Sequence, residues 1–139
     1  MKLVVPDASV ILKWVLPSDE EPDAAAALRL RDACAAGKLA LRVPGLWLYE
    51  AGNILTRNFP AQALALLESL IGFGIPEGDT GEPWRKQAVV LVRNYRVTFY
   101  DAAYHALALV ERGVFITADA KYFAKAKGAG AIALLAEFR

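Results

Sequence analysis

A chain of 139 residues, 56% hydrophobic and 22% charged, has room for one compact domain with a sizeable core and too little for two. Its formal net charge of +1 argues against a protein that holds nucleic acid by bulk electrostatics. The only cysteine, Cys34, excludes an intramolecular disulfide and a cysteine-rich zinc site, and it fits a reducing compartment.

Met1-Lys2 leads straight into a short apolar run, Leu3 to Pro6, which predicts a first strand and bears no likeness to a signal peptide. An amphipathic helix is expected from about Ser9 to Leu16, where Pro17 stops it. The acids Asp19, Glu20, Glu21 and Asp23 precede an alanine-rich helix ending near Gly37, with Pro22 suited to its first turn. Favourable placement against the helix dipole accounts for that acidic run better than catalysis does. Leu39 to Val43 reads as a strand, and Pro44-Gly45 leads into a helix reaching Asn58. Phe59-Pro60 breaks it before another helix over 61–71. The loosest stretch, 72–83, holds Gly72, Gly74, Pro76, Gly78, Gly81 and Pro83, with room for a short strand over 73–76. Helices follow over 83–94 and from Thr98 to before Gly113, then a buried strand over 114–117, a helix over 118–127 and a last strand over 131–135.

Strands alternating with helices, without hairpin signals, predict a single α/β domain over 1–139, with four to five parallel strands between helical layers. No charge-free stretch approaches the ~18 residues of a spanning helix. The expectation is a soluble, cytoplasmic protein with no membrane contact.

In such a sheet, ligands gather outside the carboxyl ends of the strands. Asp7 and Asp119 follow the first strand and the strand over 114–117, so both are placed at that edge; plain N-capping is the alternative for each. Glu50 lies at ~40° from Ile54 on the flank of an apolar stripe made by Trp47, Ala51, Ile54 and Leu55. Asn53 and Arg57 project along that flank, and a Glu50–Arg57 pairing is the alternative there. Asp101 opens its helix, where the dipole also favours an acid. Ser9 and Thr117 sit two residues from a proposed ligand, close enough to hold a carboxylate or a water. His105, the only histidine, is weighed as packing or surface before metal or phosphate contact.

Crowded, partly buried carboxylates repel each other and lose hydration, so they must take up protons or a divalent cation. Oxygen ligands with open positions suit Mg²⁺ or Mn²⁺, and such an ion serves phosphoester cleavage. This reading requires Asp7, Glu50, Asp101 and Asp119 to converge; it fails if each acid is merely tied up at its own helix end. Charge is also uneven: residues 1–80 carry 7 Lys/Arg against 10 Asp/Glu, and 81–139 carry 9 against 5. Lys121, Lys125 and Lys127 are candidates for an RNA backbone rim beside the acids, with a solvated helix face as the alternative.

Val4-Val5-Pro6-Asp7-Ala8-Ser9-Val10, then Glu50 with Asn53, then Phe99-Tyr100-Asp101-Ala102-Ala103-Tyr104 with Ala106-Leu107-Ala108, then Ile116-Thr117-Ala118-Asp119 resemble the PIN domain. In size the chain resembles a VapC-type toxin ribonuclease. The resemblance implies a PIN-like three-layer fold and a Mg²⁺- or Mn²⁺-dependent endoribonuclease. It further implies a homodimer and a VapB-like antitoxin in a separate chain. By motif position Asp7, Glu50, Asp101 and Asp119 would be the catalytic and metal-binding acids, supported by Ser9, Asn53 and Thr117. Some relatives carry a further acid soon after the fourth, whereas Ala120, Lys121, Tyr122 and Phe123 stand here, which puts a second metal in doubt. The rival reading is a PIN-like module that binds RNA or protein without cutting. Phosphatase and receiver folds fit poorly, since Asp7-Ala8-Ser9 lacks their acidic spacing.

Overall fold

The computed structural model describes residues 2–138. Four strands, β1 (Lys2–Pro6), β2 (Leu39–Leu41), β3 (Val114–Thr117) and β4 (Ile132–Leu134), form an all-parallel sheet in the order β2-β1-β3-β4. The flanking helices are α1 (Ala8–Leu12), α2 (Ala24–Ala35), α3 (Leu46–Asn58), α4 (Ala63–Gly72), α5 (Glu82–Tyr95), α6 (Phe99–Val110) and α7 (Ala120–Ala126). The α/β class and the parallel sheet are as expected from the alternation of patterns, with four strands among the described residues.

Val4, Val5, Phe115 and Ile116 are all buried, the continuous apolar run of strands covered on both faces. From β1 the chain winds outward to β2, then returns past β1 to β3 and on to β4. Parallel crossovers are right-handed, so this reversal sends α2 to one face of the sheet and α6 and α7 to the other. It also opens a crevice where the carboxyl ends of β1 and β3 diverge, the place such sheets offer to ligands. Pairing of Pro6 with Ile116 sets those two ends level.

α6 packs on both central strands, and Ala102, Ala103, Ala106 and Ala108 let it lie close. The return into β3 needs Gly113, where an added Cβ would stand 2.7 Å from the Leu3 carbonyl oxygen. Only a residue without a side chain lets β3 start beside β1.

Several boundaries differ from expectation. Regular helix ends at Leu12, and the chain continues through tighter turns to Leu16. Trp14 is drawn inward there, its indole N–H donating to the Ala27 carbonyl at 3.0 Å. Pro22 lies ahead of α2 rather than in its first turn, because Asp23 occupies the N-cap in a left-handed conformation, φ 59°. No strand forms over 73–76. Gly74 turns the chain with φ 65°, Pro76 has no N–H to give, and what remains is an isolated bridge between Val43 and Glu77.

Candidate functional site

Asp7 leaves the sheet while still bound to it. Its backbone N–H donates to the Ile116 carbonyl at 3.2 Å, extending the ladder between β1 and β3 by one residue. The side chain then caps α1: Oδ1 accepts from the Val10 N–H at 3.1 Å and from the Ser9 hydroxyl at 2.6 Å. Oδ2 accepts from the buried Thr117 hydroxyl at 2.7 Å. Thr117 Oγ1 in turn accepts the Asp119 N–H at 3.0 Å, and Asp119 Oδ1 caps α7 through the Tyr122 N–H at 3.0 Å. Ser9 and Thr117 therefore hold a carboxylate, as their spacing suggests, and capping is part of the same arrangement.

Glu50 and Asp101 approach from helices. Glu50 is half-buried on α3, and its Oε1 accepts the Tyr104 phenol rather than pairing with Arg57. Asp101 stands in the first turn of α6, with its N–H on the N-cap hydroxyl of Thr98 at 3.1 Å.

All four acids line one cleft of about 380 Å³, together with Ser9, Ile54, Tyr104, Phe115, Thr117 and Tyr122. Burial raises the proton affinity of Asp7; the bonds from Ser9, Thr117 and Val10 oppose it, and the Asp119 charge adds to it. Glu50 is raised by burial and by the charges of Asp101 and Asp7, against the Tyr104 hydrogen bond. Asp101 is exposed as a residue, yet burial of its carboxyl and the nearby Asp119 still raise it, opposed by Thr98 and Lys125. Repulsion thus runs between acids from all four segments.

Hard carboxylate oxygens without a soft ligand suit Mg²⁺ or Mn²⁺. Among the described residues, however, no group of three acidic, histidine or cysteine side chains is arranged to hold an ion as it stands. The four acids line a common cleft without three of them meeting around one point. Convergence is met at the level of the cavity, and two of the acids are also helix caps.

Asn53 does not join them: it is exposed and outside the cleft lining. At 100° per residue it falls on the opposite side of Glu50 from Ile54, and Ile54 is the neighbour that faces the cavity. Lys121 and Lys125 line a smaller adjoining cavity of about 100 Å³ with Arg96, Thr98, Asp101 and Asp119. Lys127 lies beyond α7 in a 3₁₀ turn and lines neither cavity. His105 is wholly buried. Its Nε2–H donates to the Gly130 carbonyl at 2.7 Å, which leaves Nδ1 to accept the Tyr122 hydroxyl at 2.8 Å. Burial lowers its proton affinity, so it braces the C-terminal turn as a neutral ring.

The aromatic lining went unread in the sequence. Tyr104, Phe115 and Tyr122 form a packed group beside the acids, Tyr104 stacked on Phe115 at 6.0 Å and Tyr122 edge-on to it at 5.6 Å. The available signal was a tyrosine one turn after Asp101 in a helix otherwise rich in alanine.

A family model for the PIN domain matches residues 4–129. The chain belongs to the PIN domain family. A crystal structure of PAE2754 from Pyrobaculum aerophilum aligns with a TM-score of 0.66 at 23% identity, covering 97% of this chain and 91% of that one. At that identity the likeness shows the PIN-like fold alone. No curated protein matches the chain. PIN domains are generally nucleases and typically use divalent metal ions. Among the described residues, no helix is long and apolar enough to cross a membrane.

Proposed function

We propose that this PIN domain, acting as a single domain in the cytoplasm, is a Mg²⁺- or Mn²⁺-dependent endoribonuclease and the toxin of a toxin–antitoxin pair. The observation that carries the reading is the cleft at the carboxyl ends of β1 and β3, which Asp7, Glu50, Asp101 and Asp119 all line. Some of these four would hold the ion, and a remaining one would serve as base. When bound, it would supply a Lewis acid for a phosphate oxygen and acidify a water.

The chain's own residues do the rest. Ser9 and Thr117 fix both oxygens of Asp7, so that acid cannot swing away from the scissile phosphate. Glu50 or Asp101 takes the proton from the attacking water, and raised proton affinity makes either a stronger base than an ordinary carboxylate. Lys121 and Lys125 steady the RNA backbone at the rim. Exposed Tyr49, Leu64 and Ile71 on α3 and α4 support an apolar contact, with a second copy or with a VapB-like antitoxin.

The test is RNA cleavage and melting temperature with Mn²⁺ and with EDTA. Mn²⁺ is expected to raise the melting temperature and to be required for cutting, and Asp7→Asn or Asp101→Asn to lose both. One observation favours the rival, a module that binds RNA or protein without cutting: among the described residues no three acids are arranged to hold an ion as they stand. A melting temperature indifferent to Mn²⁺, with intact RNA, selects that rival. Toxicity on expression, relieved by a neighbouring reading frame, separates a toxin from a housekeeping nuclease.

A further inference from the structure

We infer that Tyr104 is a positioning residue for Glu50, its hydroxyl fixing which carboxylate oxygen is left free for a cation. The inference rests on the nuclease reading above and adds to it a residue that acts through Glu50.

The hydroxyl is placed by the core. Tyr104 is only 2% exposed, and its ring lies nearly parallel to that of Phe115, at 13° and 6.0 Å. Phe115 belongs to β3 and is itself buried, so the phenol oxygen inherits its position from the sheet. The phenol donates to Oε1 of Glu50, and among the described residues Oε2 has no protein partner. Glu50 otherwise has three side-chain torsions and no second anchor. One hydrogen bond from a fixed donor selects one carboxylate orientation. Glu50 thus acquires from Tyr104 what Asp7 acquires from Ser9 and Thr117.

A plainer account is that a buried hydroxyl needs an acceptor and Glu50 happens to serve. The two accounts differ in a thermodynamic cycle of the full chain titrated with Mn²⁺ alone by calorimetry. Tyr104→Phe keeps the ring and is expected to weaken Mn²⁺ binding by about 10-fold, the scale on which outer partners of metal ligands act. In a Glu50→Gln background the same change is expected to do nothing further, because the group it acts through is gone. Cleavage at saturating RNA should slow in Tyr104→Phe while the RNA concentration for half-maximal rate stays put. Unchanged Mn²⁺ affinity in Tyr104→Phe overturns the inference, as does an undiminished effect in the Glu50→Gln background. A Tyr104→Phe chain that does not fold overturns it too, by making the hydroxyl a requirement of the fold. Wild-type protein that binds no Mn²⁺ and cuts no RNA removes the parent reading, a failure visible without any variant.

Discussion

Asp7 and Glu50 face one cleft from two kinds of scaffold. Asp7 is a continuation of a central strand: its backbone is in the ladder and its carboxylate accepts three hydrogen bonds, from Ser9, Val10 and Thr117. Glu50 is carried on a helix four elements further along the chain and accepts one, from Tyr104. Both are pushed towards protonation by burial, yet only Asp7 has its two oxygens committed to acceptor roles. The strand-end acid is fixed by the fold itself, and the helix-borne acid by packing against a neighbouring side chain.

Substitution by the amide separates the two kinds of anchoring most strongly. Asp7→Asn is expected to lower cleavage by about 100-fold or more, since a ligand charge worth a few kcal/mol in the transition state is lost. It should also lower the melting temperature without metal, because an amide nitrogen cannot accept from Ser9, Val10 or Thr117. Asp101→Asn is expected to lose cleavage equally but to melt higher than the wild type in EDTA, having shed repulsion without giving up such a network. Equal melting shifts in the two variants would erase the distinction. Thr117→Val keeps the volume and removes the hydroxyl between Asp7 and Asp119. A cost of about 1–3 kcal/mol in denaturant unfolding is expected, the scale of an unmet buried group.

The pH response sharpens the same contrast. Asp7, Glu50 and Asp101 have folded pKa values raised above their unfolded ones, so the folded chain binds protons more tightly. In EDTA their contribution is most favourable below the ordinary carboxylate pKa of about 4, and it is lost as pH rises through the raised values. Melting temperature in EDTA should therefore fall on going from about pH 5 to about pH 8, less steeply in Asp101→Asn, and Mn²⁺ should oppose the fall. A slope identical in wild type and variant would remove Asp101 from the group. The smallest effects belong to the rim. Lys121→Ala and Lys125→Ala should each weaken RNA binding and reduce its salt slope by about 1. Lys127→Ala, outside both cavities, should leave the slope unchanged.

Strand-borne features were the legible part of this chain. β3 occupies the span its apolar run predicts, and Asp7 and Asp119 follow their strands at the cleft. A strand places the residue after it directly, because the sheet fixes where its end points. Helix-borne features depended on rotation and on partners far away in sequence. Asn53 shares a flank with Glu50 on a helical wheel but turns to solvent, and nothing near Glu50 in sequence announces Tyr104, 54 residues away. For His105 the sequence left packing and surface both open, since its hydrogen-bond partners, Tyr122 and Gly130, come from other segments.

The hydroxyl bond from Thr117 to Asp7 joins residues 110 apart in sequence. During synthesis Asp7 emerges long before its partner strand, which arrives only after α6 and the Gly113 turn have left the ribosome. The acidic cavity consequently has no existence in a nascent or truncated chain lacking β3, and its assembly coincides with insertion of that strand beside β1. Completion of the sheet and creation of the pocket are one event.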